Sequence, residues 1–344
     1  MQSIIVDDHG TKLAYLDSGV PQPADNDYTT IFAVHGMVFT TPIFEKVMSL
    51  ANVSNIRFVG INRRDYPGST PLGTEDKAVL ASGSEDEKAA FLKSRGLEVA
   101  NFVDRFILSN HVPTLSSDGK RGGFALLGWS LGCTFALAAV ANIDALPAAS
   151  QLRWQSNMRA LVLHEAPTVA IGSPLPPKAW SPQIDHSIPA EDRDPLFTQW
   201  ITSYFKHGDL STRDPNVLTY VVPATFRAPS IFRMSDKEIG KIVHEPPASG
   251  SEMLLMHCTV TQINASYKKA CFDPSIRRLL PKMKVTAFTG DVTCWCSLSA
   301  HWAMEDDDKA HGGGFIDLEI IQGISHFAQW DEPAVILKVY TEAL

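Results

Sequence analysis

The 344-residue chain has no unbroken apolar run approaching the roughly 18 residues that a membrane-spanning helix needs, and no dense stretch of lysine or arginine. Thirty basic residues face 38 acidic ones, a formal charge of −8, which argues against a nucleic-acid or anionic-membrane surface and for a neutral ligand. Cysteine is scarce: five residues, an odd number, do not make a disulfide framework, and Cys294-Trp295-Cys296 lacks the two-residue spacer of zinc and redox pairs. Buried free thiols are the simpler reading. The opening Met1–Gly10 carries acids where a signal peptide carries bases. These absences predict a soluble cytoplasmic protein with a small-molecule partner, no nucleic acid and no membrane; a homodimer remains one open assembly.

What is present is a large apolar fraction, 44%, enough to bury the core of one big α/β domain. Ser3–Val6 and Lys12–Leu16 read as an opening hairpin around Asp8-His9-Gly10. Buried strands are predicted at Ile31–Val34, Arg57–Ile61, Phe124–Leu127, Ala160–His164, Lys284–Thr289 and Phe315–Ile321. Helices are predicted at Pro42–Ala51, from the Ser84/Glu87 capping box towards Asn110, and at Pro333–Ala343. Such alternation implies a mostly parallel sheet with helices on both faces.

Between Pro167 and Pro281 the strand rhythm stops. Prolines cluster there, followed by helical stretches at Pro195–Lys206, Ser235–Val243 and Ser251–Cys271. Residues 1–166 and 282–344 are therefore expected to form the core, and 167–281 an inserted helical cap. The cap carries Trp180, Phe197, Trp200, Tyr204, Phe205, Phe232, Met253 and Met256, most of them expected to glue cap to core and a few to line an apolar pocket. Glu305-Asp306-Asp307-Asp308 reads as a solvated loop, and with His301 and His311 its spacing does not suggest a metal site.

The segment Phe124–Val140 is a short apolar run, then Gly128-Trp129-Ser130-Leu131-Gly132, then a small-residue helix. A serine on a sharp strand-to-helix turn is lifted clear of the sheet, a nucleophile elbow. The pentapeptide alone is weak evidence; its strand-and-helix context makes it strong.

Three further pieces stand around it in order: Val34-His35-Gly36-Met37 after the first buried strand, Asn62–Ser69 after the next, and Gly323-Ile324-Ser325-His326 before the closing helix. On these motifs the chain resembles the α/β-hydrolase superfamily over nearly all its length except the cap. The resemblance implies that fold, no cofactor, and a Ser130 nucleophile with His326 as its base. It implies oxyanion donors at the Met37 and Leu131 amides, with Gly36 letting the backbone turn closely. Gly36, Trp129 and Trp200 are the candidate substrate contacts.

The third triad member has two candidates. Most of the superfamily carries an acid three residues after a strand-ending glycine, but three residues after Gly290 stands Thr293, with Asp291 too early. Leu163-His164-Glu165-Ala166-Pro167 resembles the His-Glu-x-Pro segment of zearalenone lactonases, which makes Glu165 the first choice and Asp291 the alternative. The implied activity is cleavage of a carboxylic ester, with a lactone or bulky aromatic ester favoured by that segment and the aromatic cap. Two alternatives share the fold: a carbon–carbon bond hydrolase or cofactor-free dioxygenase, and a binding protein without catalysis.

Overall fold

The computed structural model describes residues 1–22 and 27–344. Eight strands form one sheet: β1 (Gln2–Ile5), β2 (Lys12–Asp17), β3 (Thr29–Val34), β4 (Ile56–Ile61), β5 (Phe124–Trp129), β6 (Met158–His164), β7 (Lys284–Gly290) and β8 (Asp317–Ile321). Their order is β1-β2-β4-β3-β5-β6-β7-β8. The pairings β1/β2 and β2/β4 are antiparallel, and every other pairing is parallel. β3, β4, β5 and β6 are buried along their whole length, because helices cover both faces of the sheet. The edge strands β1 and β8 are partly exposed and carry mixed polar and apolar residues, as a one-sided environment requires.

The helix Glu85–Asn110 begins where the Ser84/Glu87 pair predicted, with reciprocal backbone bonds at both residues, a cap worth about 1 kcal/mol. It packs on Gly132–Ala141, the helix that follows the elbow, while Glu45–Ala51 packs on the closing helix Pro333–Glu342. The parallel strands put all their carboxyl ends on one edge. In open α/β sheets that edge is where sites form.

Between β6 and β7 the helical expectations need correction. The helix expected from Pro195 to Lys206 runs from Ala190 to Ile201. It starts early because Glu191 and Asp192 complement the positive end of its first turn, with Pro195 tolerated inside. It stops at Ile201, where the Thr202 and Ser203 hydroxyls donate back to the Thr198 and Gln199 carbonyls. The single helix expected over Ser251–Cys271 is two, Met253–Cys258 and Val260–Phe272. They are broken at Thr259, whose Oγ1 donates to the Leu255 carbonyl at 2.6 Å. The Ser235 capping box does open a helix, Asp236–Ile242.

The acidic run 305–308 is not a loop. It lies in the helix Trp295–Ala310, where Arg213 pairs with Glu305 and Asp306, and Lys268 pairs with Asp307. Asp308 accepts the backbone N–H groups of Gly314, Phe315 and Ile316. Two of those residues were expected to start the last strand; they cap the preceding turn instead. Cations from the inserted segment make a four-acid helical turn tolerable.

Among the described residues no helix is long and apolar enough to cross a membrane.

Candidate active site

β5 ends at Trp129 and the chain turns through Ser130 in the left-handed region, φ +55°. The turn is fixed on both sides: the Ser130 N–H donates to the His164 carbonyl at 2.9 Å, and the Ser130 carbonyl accepts from Cys133 N at 3.0 Å. A Cβ at Gly128 would stand 2.4 Å from Cys133 Cα, and one at Gly132 2.1 Å from the Val34 carbonyl. Strand and helix pass too near each other for any side chain there. A Cβ at Gly36 would lie 2.7 Å from Ser130 Cβ, so the loop after β3 presses against the serine from the other side.

Glu165 follows β6, also in the left-handed region at φ +54° and fully buried. Strained backbone at two neighbouring strand ends marks positions where the surrounding structure dictates the conformation. Its Oε1 accepts from Gly290 N at 2.6 Å and Thr289 Oγ1 at 3.0 Å. Its Oε2 accepts from Thr293 Oγ1 at 2.5 Å and faces His326 Nδ1 at 3.1 Å. Burial pushes this carboxyl up, but the hydrogen bond and charge of His326, with the Thr293 hydroxyl, hold it below its ordinary value. An ionised carboxylate only accepts, so Nδ1 carries the proton and Nε2 is left as the basic nitrogen.

His326 itself is buried, and Trp129 Nε1 donates to its carbonyl at 3.0 Å, tying the loop after β8 to the end of β5. Burial lowers the pKa of the imidazole, while the neighbouring Cys294 sulfur, itself held towards the thiolate by Cys296 and His326, and the Glu165 carboxylate raise it, with a net rise to about 9. Ser130 and His326 border the same cavity. Asp291 faces elsewhere: its Oδ1 accepts from Gly323 N at 2.6 Å, and it borders a separate surface groove with His207 and Arg213.

Met37 and Leu131 both line the Ser130 cavity, and among the described residues neither backbone N–H donates to another protein group. Residues 167–281 supply Phe197, Trp200, Met253 and Met256 to the wall of this cavity. Trp200 is 4% exposed, yet its indole N–H has no partner. Two proposed substrate contacts stand back from that wall. Trp129 is fully buried and spends its N–H on the His326 carbonyl, and Gly36 lies beneath the serine. Tyr204 and Phe205 are buried away from the cavity, whereas Phe232 is 63% exposed and serves neither of the roles expected of it.

Gln183, His257 and Cys296 also put polar side chains into the wall, and Cys294 neighbours His326; none of these was a candidate site residue in the sequence. No motif marks the first two. The Cys294-Trp295-Cys296 triplet was visible, but only β7 brings it to the site. The two sulfurs lie 2.7 Å apart and both thiols are free. Among the described residues no group of three or more His, Cys, Asp or Glu side chains is arranged to hold a metal ion.

No protein-family model matches the sequence, and no curated protein matches it. Solved structures do match over essentially the whole chain. An N-acyl homoserine lactone degrading enzyme is 14% identical with a TM-score of 0.54, covering 98% of this chain and 99% of its own. The epoxide hydrolase CorEH is 10% identical with a TM-score of 0.52, covering 99% and 96%. The thioesterase domain from the curacin biosynthetic pathway is 14% identical with a TM-score of 0.51, covering 98% of each chain. The fold is the α/β-hydrolase fold. At these identities the likeness establishes architecture alone, and the chemistry has to be argued from the site.

Proposed function

We propose that the chain is a cofactor-independent serine hydrolase that cleaves a neutral, largely apolar carboxylic ester, with lactones and bulky aromatic esters as its preferred class. The observation that carries this is the buried His326–Glu165 pair at 3.1 Å, behind a cavity that Ser130 borders. Ser130 Oγ attacks the carbonyl carbon as His326 Nε2 takes its proton, and Glu165 stabilises the imidazolium that forms. The Met37 and Leu131 N–H groups receive the developing oxyanion. His326 then protonates the departing alkoxide, and water, deprotonated by the same nitrogen, releases the acid. In a lactone the alkoxide stays tethered, so the product is one ring-opened hydroxy acid.

Residues 167–281 act as a cap over this cavity in the proposal, with Trp200 offering its unpaired indole N–H to a substrate oxygen. The wall is otherwise mostly aliphatic, aromatic and thioether, which disfavours charged substrates by their desolvation cost. Epoxide hydrolases of this fold carry aspartate at the elbow, and Ser130 stands there instead, so the ester reading is preferred over theirs.

A fluorophosphonate probe tests the mechanism. It should phosphonylate Ser130 in the folded wild type, and Ser130→Ala should lose both labelling and hydrolysis of a panel of aryl esters, alkyl esters and macrolactones. Turnover that survives Ser130→Ala would favour a carbon–carbon hydrolase or dioxygenase, and ligand binding without product a non-catalytic protein.

A further inference from the structure

The loop carrying Met37 is held by residues that the catalytic proposal does not use. The Gly36 carbonyl accepts from His35 Nδ1 and from Arg63 Nη2, each at 2.8 Å, and the His35 carbonyl accepts from Arg63 Nε at 3.0 Å. Arg63 N–H donates to His35 Nε2 at 3.2 Å, so the imidazole is neutral with its proton on Nδ1; burial and the Arg63 charge keep it so. The C=O and N–H of a trans peptide point in opposite directions, so anchoring the Gly36 oxygen fixes where the Met37 N–H aims.

Next along the loop, Val38, in the left-handed region at φ +69°, donates its N–H to Tyr66 Oη at 2.9 Å. Tyr66 Oη in turn donates to Glu252 Oε2 at 2.9 Å, and the other Glu252 oxygen pairs with Arg63 Nη2. Arg63, Tyr66 and Glu252 are all at least 96% buried. Glu252 belongs to the inserted segment. That segment also pairs directly with the loop: His244 N donates to the Val38 carbonyl and Thr40 N to the Ile242 carbonyl, each at 2.7 Å.

We infer that Glu252 is a positioning residue for oxyanion stabilisation. It is supplied by the inserted segment and holds Arg63 and Tyr66, and through them the Gly36–Met37 peptide, so the hole is aimed only while residues 241–252 are docked on the core. The inference rests on the serine-hydrolase reading and adds that the cap builds the site as well as covering it. A buried ion pair is a poor source of net stability but a strict geometric constraint. A misplacement of about 1 Å in such a group can cost about 10²-fold in rate.

The test is the kinetics of fluorophosphonate labelling of the full chain, separating the maximum rate from the probe's binding constant. Tyr66→Phe removes one hydroxyl and keeps the ion pair; Glu252→Gln loosens both arms. The maximum rate should fall about tenfold in Tyr66→Phe and about 10²-fold in Glu252→Gln, with binding constants within about twofold of wild type. If Glu252→Gln does not fold because Arg63 is left unpaired, Tyr66→Phe still decides. A folded Tyr66→Phe protein that labels at the wild-type maximum rate, or changes only the binding constant, overturns the inference. A wild type that is not labelled at all overturns the acyl-enzyme reading first.

Discussion

The ends of β6 and β7 lie side by side in the sheet, and each delivers a carboxylate to the same edge of the molecule, Glu165 from one and Asp291 from the other. Glu165 is fully buried, with donors from Thr289, Gly290, Thr293 and His326 converging on its two oxygens. Asp291 holds the Gly323 turn in place at the rim of a surface groove. Thr293, which stands three residues after Gly290 where the superfamily usually has its acid, gives its hydroxyl to Glu165 instead. A pocket for the anion is thus shared by both strand ends, and the charge enters it from β6. An acid's role follows from which donors surround it and which imidazole it reaches, rather than from its spacing to a glycine.

The sharpest way to break this comparison is Glu165→Gln. The amide keeps the shape but cannot act as an anion beside His326 or fix its tautomer, and losses of about 10⁴ in kcat are typical when a triad acid becomes an amide. We expect a fall of about 10³- to 10⁴-fold in aryl-ester hydrolysis, with the protein still folded by circular dichroism. A loss smaller than tenfold would show that the carboxylate of β6 does not serve the base.

The second prediction concerns pH. In the proposed mechanism His326 must be unprotonated to accept the Ser130 proton, and Cys294 and Glu165 together raise its pKa to about 9. The kcat/KM profile should therefore climb through neutral pH towards about 9. Cys294→Ala removes one of the two raising influences and leaves Glu165, so the rising limb should move to lower pH. Activity at pH 7 should then increase about tenfold for each unit of movement. A limb that stays in place would assign the whole rise to Glu165 and so sharpen the contrast between the two strand ends.

The elbow was legible because it is local: a buried run, two glycines at fixed spacing and a small-residue helix are all contained in Phe124–Ala141. The helix from Ser84 was legible for the same reason, since a capping box is contained in four consecutive residues, Ser84 to Glu87. The choice between Glu165 and Asp291 stayed open because it depends on a contact between residues 161 positions apart. Arg63 and Tyr66 lie in the Asn62–Ser69 motif, but nothing in the sequence pairs them with Glu252, up to 189 positions away, which they meet only when residues 167–281 fold back on the core. Helix limits in that segment failed where local rules gave way to neighbours. A proline was accepted inside the helix Ala190–Ile201 and a threonine broke the stretch at Thr259; outside that segment, the acidic run 305–308 became helical once Arg213 and Lys268 lay beside it.

The smallest effect belongs to Asp291→Asn, and its smallness is what the comparison requires. The Asp291 side chain spends Oδ1 on the Gly323 N–H at 2.6 Å, and Gly323 turns at φ +76° before the His326 loop. An asparagine carbonyl accepts the same bond, so the turn survives with a weaker, uncharged acceptor. The cost should be about 1 kcal/mol or less, which for a chain of this size lowers Tm by about 2 °C. Aryl-ester kcat/KM should stay within about twofold of wild type, because no group that reacts is touched. A loss as large as that of Glu165→Gln would mean that Asp291 reaches the imidazole during turnover, and that the β7 end, not the β6 end, supplies the working charge.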